Sequence, residues 1–138
     1  MKRTGKIIAL LLCLALLAAC GKTEATTGLW ADALYSEDTE LGSGEKTVTV
    51  TVEAEEKSIV FTLHTDCATL GEALMEHGLI AGEQSDFGLY VKQVNGISAD
   101  YDVDGYYWGF FSGGEYMLSG VDSTEIAGGE SYELVRTK

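Results

Sequence analysis

Thr47-Val48-Thr49-Val50-Thr51-Val52 alternates without a break, and Ser58-Ile59-Val60-Phe61-Thr62-Leu63-His64 follows after the polar link Glu53 to Lys57. Strict alternation is the signature of a strand with one face in the core. Val48, Val50 and Val52 share one face of the first run. Ile59, Phe61 and Leu63 share one face of the second, so the two runs read as an antiparallel hairpin.

Working outward toward the C-terminus, Thr69 stands three residues before Glu72, the spacing of a capping box. Leu70, Ala73, Leu74 and His77 then fall on one helical face, and Gly78 stands where a left-handed cap favours glycine. Phe87 to Val94 reads as a strand ending in the turn Asn95-Gly96. Tyr106-Tyr107-Trp108-Gly109-Phe110-Phe111 is an aromatic strand, Glu115 to Leu118 a short paired one and Ser131 to Arg136 a closing one after the tight turn Ile126 to Glu130. Hairpin, helix and further strands predict an α+β fold, a β-grasp-like mixed sheet with one short helix packed on one face.

Toward the N-terminus the pattern changes. Lys2, Arg3 and Lys6 precede an unbroken apolar run from Ile7 to Ala19. That run is shorter than the roughly 20 residues a spanning helix needs, and it fits the apolar region of a signal peptide. It ends Leu17-Ala18-Ala19-Cys20-Gly21, which resembles a bacterial lipobox. Residues 1–19 are therefore expected to be removed and Cys20 to carry a diacylglycerol, giving a lipid-anchored protein on the extracellular face of the cell membrane. Residues 20–46, rich in small and acidic residues, read as a flexible tether, and 47–138 as the domain.

The chain has 138 residues, 22 acids against 9 Lys+Arg, and a formal charge of −13. That length suits one domain, and that charge argues against a nucleic-acid partner. With Cys13 in the leader and Cys20 acylated, Cys67 has no partner for a disulfide and reads as a small buried apolar residue. No Ser/His/Asp, Cys/His or paired-carboxylate arrangement is recognisable, so the chain reads as a binding protein, not an enzyme.

Three groups are candidate sites. Alternation puts Tyr106, Trp108 and Phe110 on one face of the aromatic strand and Tyr107 and Phe111 on the other. One face must be core, and the other is free to meet a flat ligand or a partner protein, with Tyr116 and Tyr90 extending it. Asp100, Asp102 and Asp104, with Gly105, match the first half of a calcium loop, but Phe111 stands where its closing bidentate Glu belongs. The competing reading is a solvated acidic turn. His64, on the outer face of its strand, is the better placed of the two histidines to meet a metal centre carried by a ligand.

Several of these motifs form a pattern. Val94-Asn95-Gly96, Ala99-Asp100-Tyr101, Asp104-Gly105, Tyr107-Trp108, Gly114-Glu115-Tyr116, Gly120-Val121 and Ile126 to Glu130, with Thr69-Leu70 and Ala73-Leu74 before them, resemble the transcobalamin-like C-terminal domain family, found in surface lipoproteins of Gram-positive bacteria. The resemblance runs from about Thr47 to Thr137. Gly113-Gly114 replaces the usual Asn-Gly, and Gly129-Glu130 the usual Gly-Asp. It implies a β-grasp-like fold and a cobalamin-like ligand, in animal relatives held between two lobes. The expectation is thus a surface domain that captures a corrinoid for a membrane transporter. The alternative is an adhesion or protein-interaction module using the same aromatic surface.

Overall fold

The structure, a computed structural model, describes residues 28–138. The expected signal peptide and the expected acylation site, Cys20, lie outside the described residues. Gly28–Asp32 is a 3-10 turn in which Trp30 is buried.

The hairpin forms as the alternation requires. Strand β2 (Lys46–Ala54) pairs antiparallel with β3 (Lys57–Thr65), and Val48, Val50 and Val52 stand opposite Leu63, Phe61 and Ile59. All six side chains are buried. The threonines between them face outward with His64, because a one-residue step reverses the face. The remaining strands are β1 (Thr39–Gly42), β4 (Ile80–Ser85), β5 (Gly88–Val94), β6 (Ile97–Ser98), β7 (Tyr107–Ser112), β8 (Glu115–Tyr116) and β9 (Ser131–Thr137). Six of the nine make one sheet in the order β1-β3-β2-β9-β7-β8. The closing strand β9 runs parallel to β2 at its centre, with Val50 beside Tyr132 and Val52 beside Leu134. The fold is a sheet-dominated α+β fold, with the central parallel pair that a β-grasp requires.

Helix α1 (Leu70–Glu76) begins where the capping box places it: the Thr69 hydroxyl accepts the Glu72 N–H at 3.3 Å. Gly78 follows with φ 66°. The helix buries Leu70, Ala73 and Leu74. At Gly71 a Cβ would lie 2.8 Å from Cα of Asp122, so the helix can approach the 3-10 turn Val121–Ser123 only without a side chain there.

Three features differ from the sequence reading. First, residues 32–138 form one compact unit, and the stretch expected as tether contributes strand β1, parallel to β3. Its order comes from long-range bonds that its composition does not show. Asp38 accepts the Val60 N–H, the Tyr35 ring packs edge-on against Phe61 at 5.5 Å, and the Asn95 side chain holds the Tyr35 backbone.

Second, the described residues form two sheets, not one: β4, β5 and β6 make a separate three-stranded sheet. Strand β4 buries only Ile80, so it carries no alternation to read. Its register shifts between Ala81 and Gly82, where a Cβ on Gly82 would collide with the Tyr90 carbonyl. Third, a second short helix, α2 (Tyr101–Asp104), stands beside the expected one.

The turn before β9 is held by Glu130, whose carboxylate accepts the Ala127 and Gly128 N–H groups, both at 2.7 Å. The Ala127 amide, then Gly128 against an opposing desolvation, holds this carboxyl below its ordinary value of 4.5. A lowered folded-state pKa stabilises above the ordinary value and ceases to stabilise as pH falls through the lowered one. Glu130→Gln is therefore expected to lower the urea midpoint at neutral pH and to leave it unchanged in strong acid, read by denaturation across that range. An equal loss at both pH values would contradict this.

Candidate ligand-binding cleft

Strand β7 carries the aromatic run between the two sheets. Trp108 and Phe110 point inward, 7% and 8% exposed. The Trp108 indole N–H donates to the Ile97 carbonyl at 3.2 Å, joining β7 of the large sheet to β6 of the small one. The Phe110 ring lies 5.6 Å from that of Tyr132. Sealing is incomplete. The small sheet leaves a cleft of about 450 Å³ between β5 and β7, open at the surface. Trp108, Phe110 and Leu134, from β7 and β9, line it opposite Leu89, Tyr90 and Val91 of β5, and Tyr101, Asp102 and Val121 line it as well.

The sequence-predicted residues divide. Trp108, Phe110 and Tyr107 line the cleft, and Tyr90 joins them. Tyr106 does not: its ring stacks under the Arg136 guanidinium at 4.1 Å. Tyr116 does not either; it is on β8, exposed, with its ring edge-on to Phe111 at 4.8 Å. Its phenol is pushed up to about 12, first by desolvation and then by a hydrogen bond with Tyr107. Phe111, Tyr116 and Tyr107 thus form a small aromatic shelf on the outer face, and Tyr107 also lines the cleft.

His64 is on the outer sheet face among the threonines, away from the cleft. Nδ1 meets the Thr47 hydroxyl at 3.0 Å and Nε2 meets Glu40 Oε2 at 2.9 Å. With both ring nitrogens engaged, it is not free to ligate a bound metal centre, which corrects the sequence reading. Spacing along the chain did not show this hydroxyl–imidazole–carboxylate chain, because Glu40 comes from the stretch read as tether. It ties β1 to the hairpin.

Asp100, Asp102 and Asp104 do not form a calcium loop. Asp100 caps α2 by accepting the Asp102 N–H and pairs with Lys92 at 3.5 Å. Asp104 accepts the Tyr106 N–H and pairs with Arg136 at 3.1 Å. Gly105 closes the turn at φ 76°. The spacing that begins a metal loop serves equally for a capped helical turn, since both want an oxygen at the start and a glycine at the end. Among the described residues no three His, Cys, Asp or Glu side chains gather as metal ligands. Cys67 is half-buried instead of buried, its thiol 3.5 Å from Glu76.

Leu89, Val91, Tyr101 and Val121 are cleft residues that the sequence reading did not select. Period-two alternation tells which face a residue takes but not what stands opposite it.

No protein-family model and no curated protein matches the chain. Solved structures do. A protein from Ruminococcus gnavus ATCC 29149, solved at 1.30 Å and described provisionally as metal-binding, is 34% identical, with a TM-score of 0.64. The match covers 68% of this chain and 98% of that one. The chain belongs to one family with that protein. Haptocorrin, in its complex with Cbi, matches at 24% identity and a TM-score of 0.51, over 67% of this chain. The match takes in only 25% of haptocorrin's chain, and at that identity the likeness is one of fold.

Proposed function

We propose that the chain is a non-catalytic, lipid-anchored domain of the cell surface that captures a corrinoid in the cleft between its two sheets and presents it to a membrane transporter. The observation that carries this reading is the open cleft walled by Trp108, Phe110, Tyr101 and Tyr107. Faces of aromatic rings suit the flat ring system of a macrocycle. Two likenesses support it: a related fold occurs in haptocorrin, a protein solved with Cbi, and a family member is described as metal-binding. A corrinoid carries its cobalt within its own ring, so such a ligand brings a metal without needing protein ligands for it.

A cleft of about 450 Å³ covers only part of so large a molecule. Good small-molecule sites bury about 70–90% of their ligand. The isolated domain is thus expected to bind weakly, and the transporter or a second protein to complete the enclosure. Aquocobinamide titrated into the full chain should quench Trp108 saturably, and Trp108→Phe should remove that component and leave the Trp30 signal. Absence of saturable quenching at about millimolar ligand, equivalent to roughly 4 kcal/mol, would refute the reading.

One observation favours a second reading, a protein-docking module. Phe87, Val103 and Leu118 are 97%, 82% and 103% exposed. Each lies within two residues of one lining the cleft. If these exposed apolar residues serve a surface protein and the cleft nothing, Phe87→Ser with Leu118→Ser should abolish association with a purified transporter component while corrinoid quenching is absent throughout.

A further inference from the structure

We infer that the cleft selects a cationic organic ligand, with Asp102 as its counter-charge and the rings of Tyr101, Tyr107 and Trp108 as its cation–π surface. This rests on the reading of the cleft as the ligand site, and it adds the charge the ligand must carry.

The cleft's lining is one-sided. Among the described residues that line it, Asp102 is the single charged side chain; no lysine, arginine or histidine is present. Of the three acids in this segment, Asp100 and Asp104 are already paired, with Lys92 and Arg136. Asp102 makes no ion pair among the described residues, and it is exposed as well as lining, which places it at the mouth. Four of the lining side chains are tyrosines or tryptophan, whose ring faces carry partial negative charge and attract alkylammonium groups. This chain already uses its tyrosines so: Arg136 sits over Tyr106 at 4.1 Å and Lys92 lies 5.7 Å from the Tyr90 ring. Lys92 is itself neutralised by Glu83 and Asp100, so it does not set the sign of the cleft. The field of the whole chain, with a formal charge of −13, acts in the same direction and concentrates cations at its surface.

A corrinoid meets this requirement in one charge state. Trivalent cobalt in a singly negative corrin with water as axial ligands is a cation, whereas two cyanide ligands cancel its charge.

The test uses the full chain in mild detergent, with choline as the probe and its neutral carbon isostere, in which tert-butyl replaces trimethylammonium, as the comparison. Binding is read from the Trp108 indole N–H resonance. Choline is expected to bind about tenfold more tightly than the isostere, and Asp102→Asn to remove most of that difference. The Asp102 side chain makes no hydrogen bond among the described residues, so this variant should keep the parent spectrum elsewhere. Tyr101→Leu should weaken choline more than the isostere. Equal affinity for the two probes, stronger binding of benzoate, or no saturable choline shift at about 100 mM would overturn the inference. If choline is selected and aquocobinamide does not bind, the corrinoid reading fails and the charge selection stands. If aquocobinamide binds as tightly as its dicyano form and choline is not preferred, the reverse holds.

Discussion

Asn95→Ala is expected to cost about 3 kcal/mol of stability, though its position in a turn suggests little. Asn95 is fully buried and sits at φ 53°, followed by Gly96 at φ 79°, so the pair makes the tight link between β5 and β6. Its backbone N–H donates to Leu79 at 2.7 Å, and its carbonyl accepts from Leu34 at 2.9 Å. Its side chain acts as a second backbone: Oδ1 accepts the Tyr35 N–H at 3.0 Å and Nδ2 donates to the Tyr35 carbonyl at 2.8 Å. Alanine loses both side-chain bonds, each contributing about 1 kcal/mol, and must hold a left-handed conformation at about another 1 kcal/mol. Asn95→Gly loses the bonds without the conformational cost, so it should be the milder variant by about 1 kcal/mol. Urea unfolding of the full chain measures both. Limited proteolysis of Asn95→Ala should also cut sooner near Tyr35, because the clamp on that segment is gone. A loss below about 1 kcal/mol, or glycine worse than alanine, would contradict this role.

Trp108→Ala is expected to cost about 3–5 kcal/mol and to abolish binding in the cleft. The indole is buried between the sheets, and its N–H is bonded to Ile97. Alanine both opens a cavity and leaves that carbonyl without its partner. Arg136 supplies a second tie between the sheets, from its Nε to the Ser98 carbonyl at 2.9 Å, so the small sheet should stay attached but settle differently. Trp108→Phe separates the effects. It keeps most of the packed area, loses the hydrogen bond, and should cost only about 1–2 kcal/mol while retaining a weakened site. Equal destabilisation by the two variants would mean the hydrogen bond, not the ring, holds the sheets.

What was legible in the chain was what short-range physics controls. The Thr47–Val52 alternation found β2 because one face of it is buried, and Thr69 with Glu72 found the start of α1 because the cap is local. Strand β1 was not legible. Its place beside β3 depends on Asp38, Tyr35 and Asn95 contacts that span 22 to 60 residues. Strand β4 was missed because five of its six residues are exposed, so no apolar period marks it. The same divide runs through the site. Alternation put Trp108 and Phe110 on one face of their strand without telling which face was inner, and the wall facing them belongs to a sheet the pattern did not reveal. Tyr106 and His64 were chosen for their ring chemistry, yet Arg136 and Glu40, remote in sequence, occupy both.

If the chain captures a corrinoid as proposed, the cleft between the sheets, not the outer threonine face, receives it. Chemical-shift mapping of the full chain during an aquocobinamide titration tests it most directly. The expected result is a saturable set of shifts concentrated at the Trp108 indole, Tyr90, Tyr101 and Val121, with Thr49, Thr62 and His64 unmoved. Shifts centred on His64 and the threonines, or none at saturating ligand, would place the ligand elsewhere or rule it out.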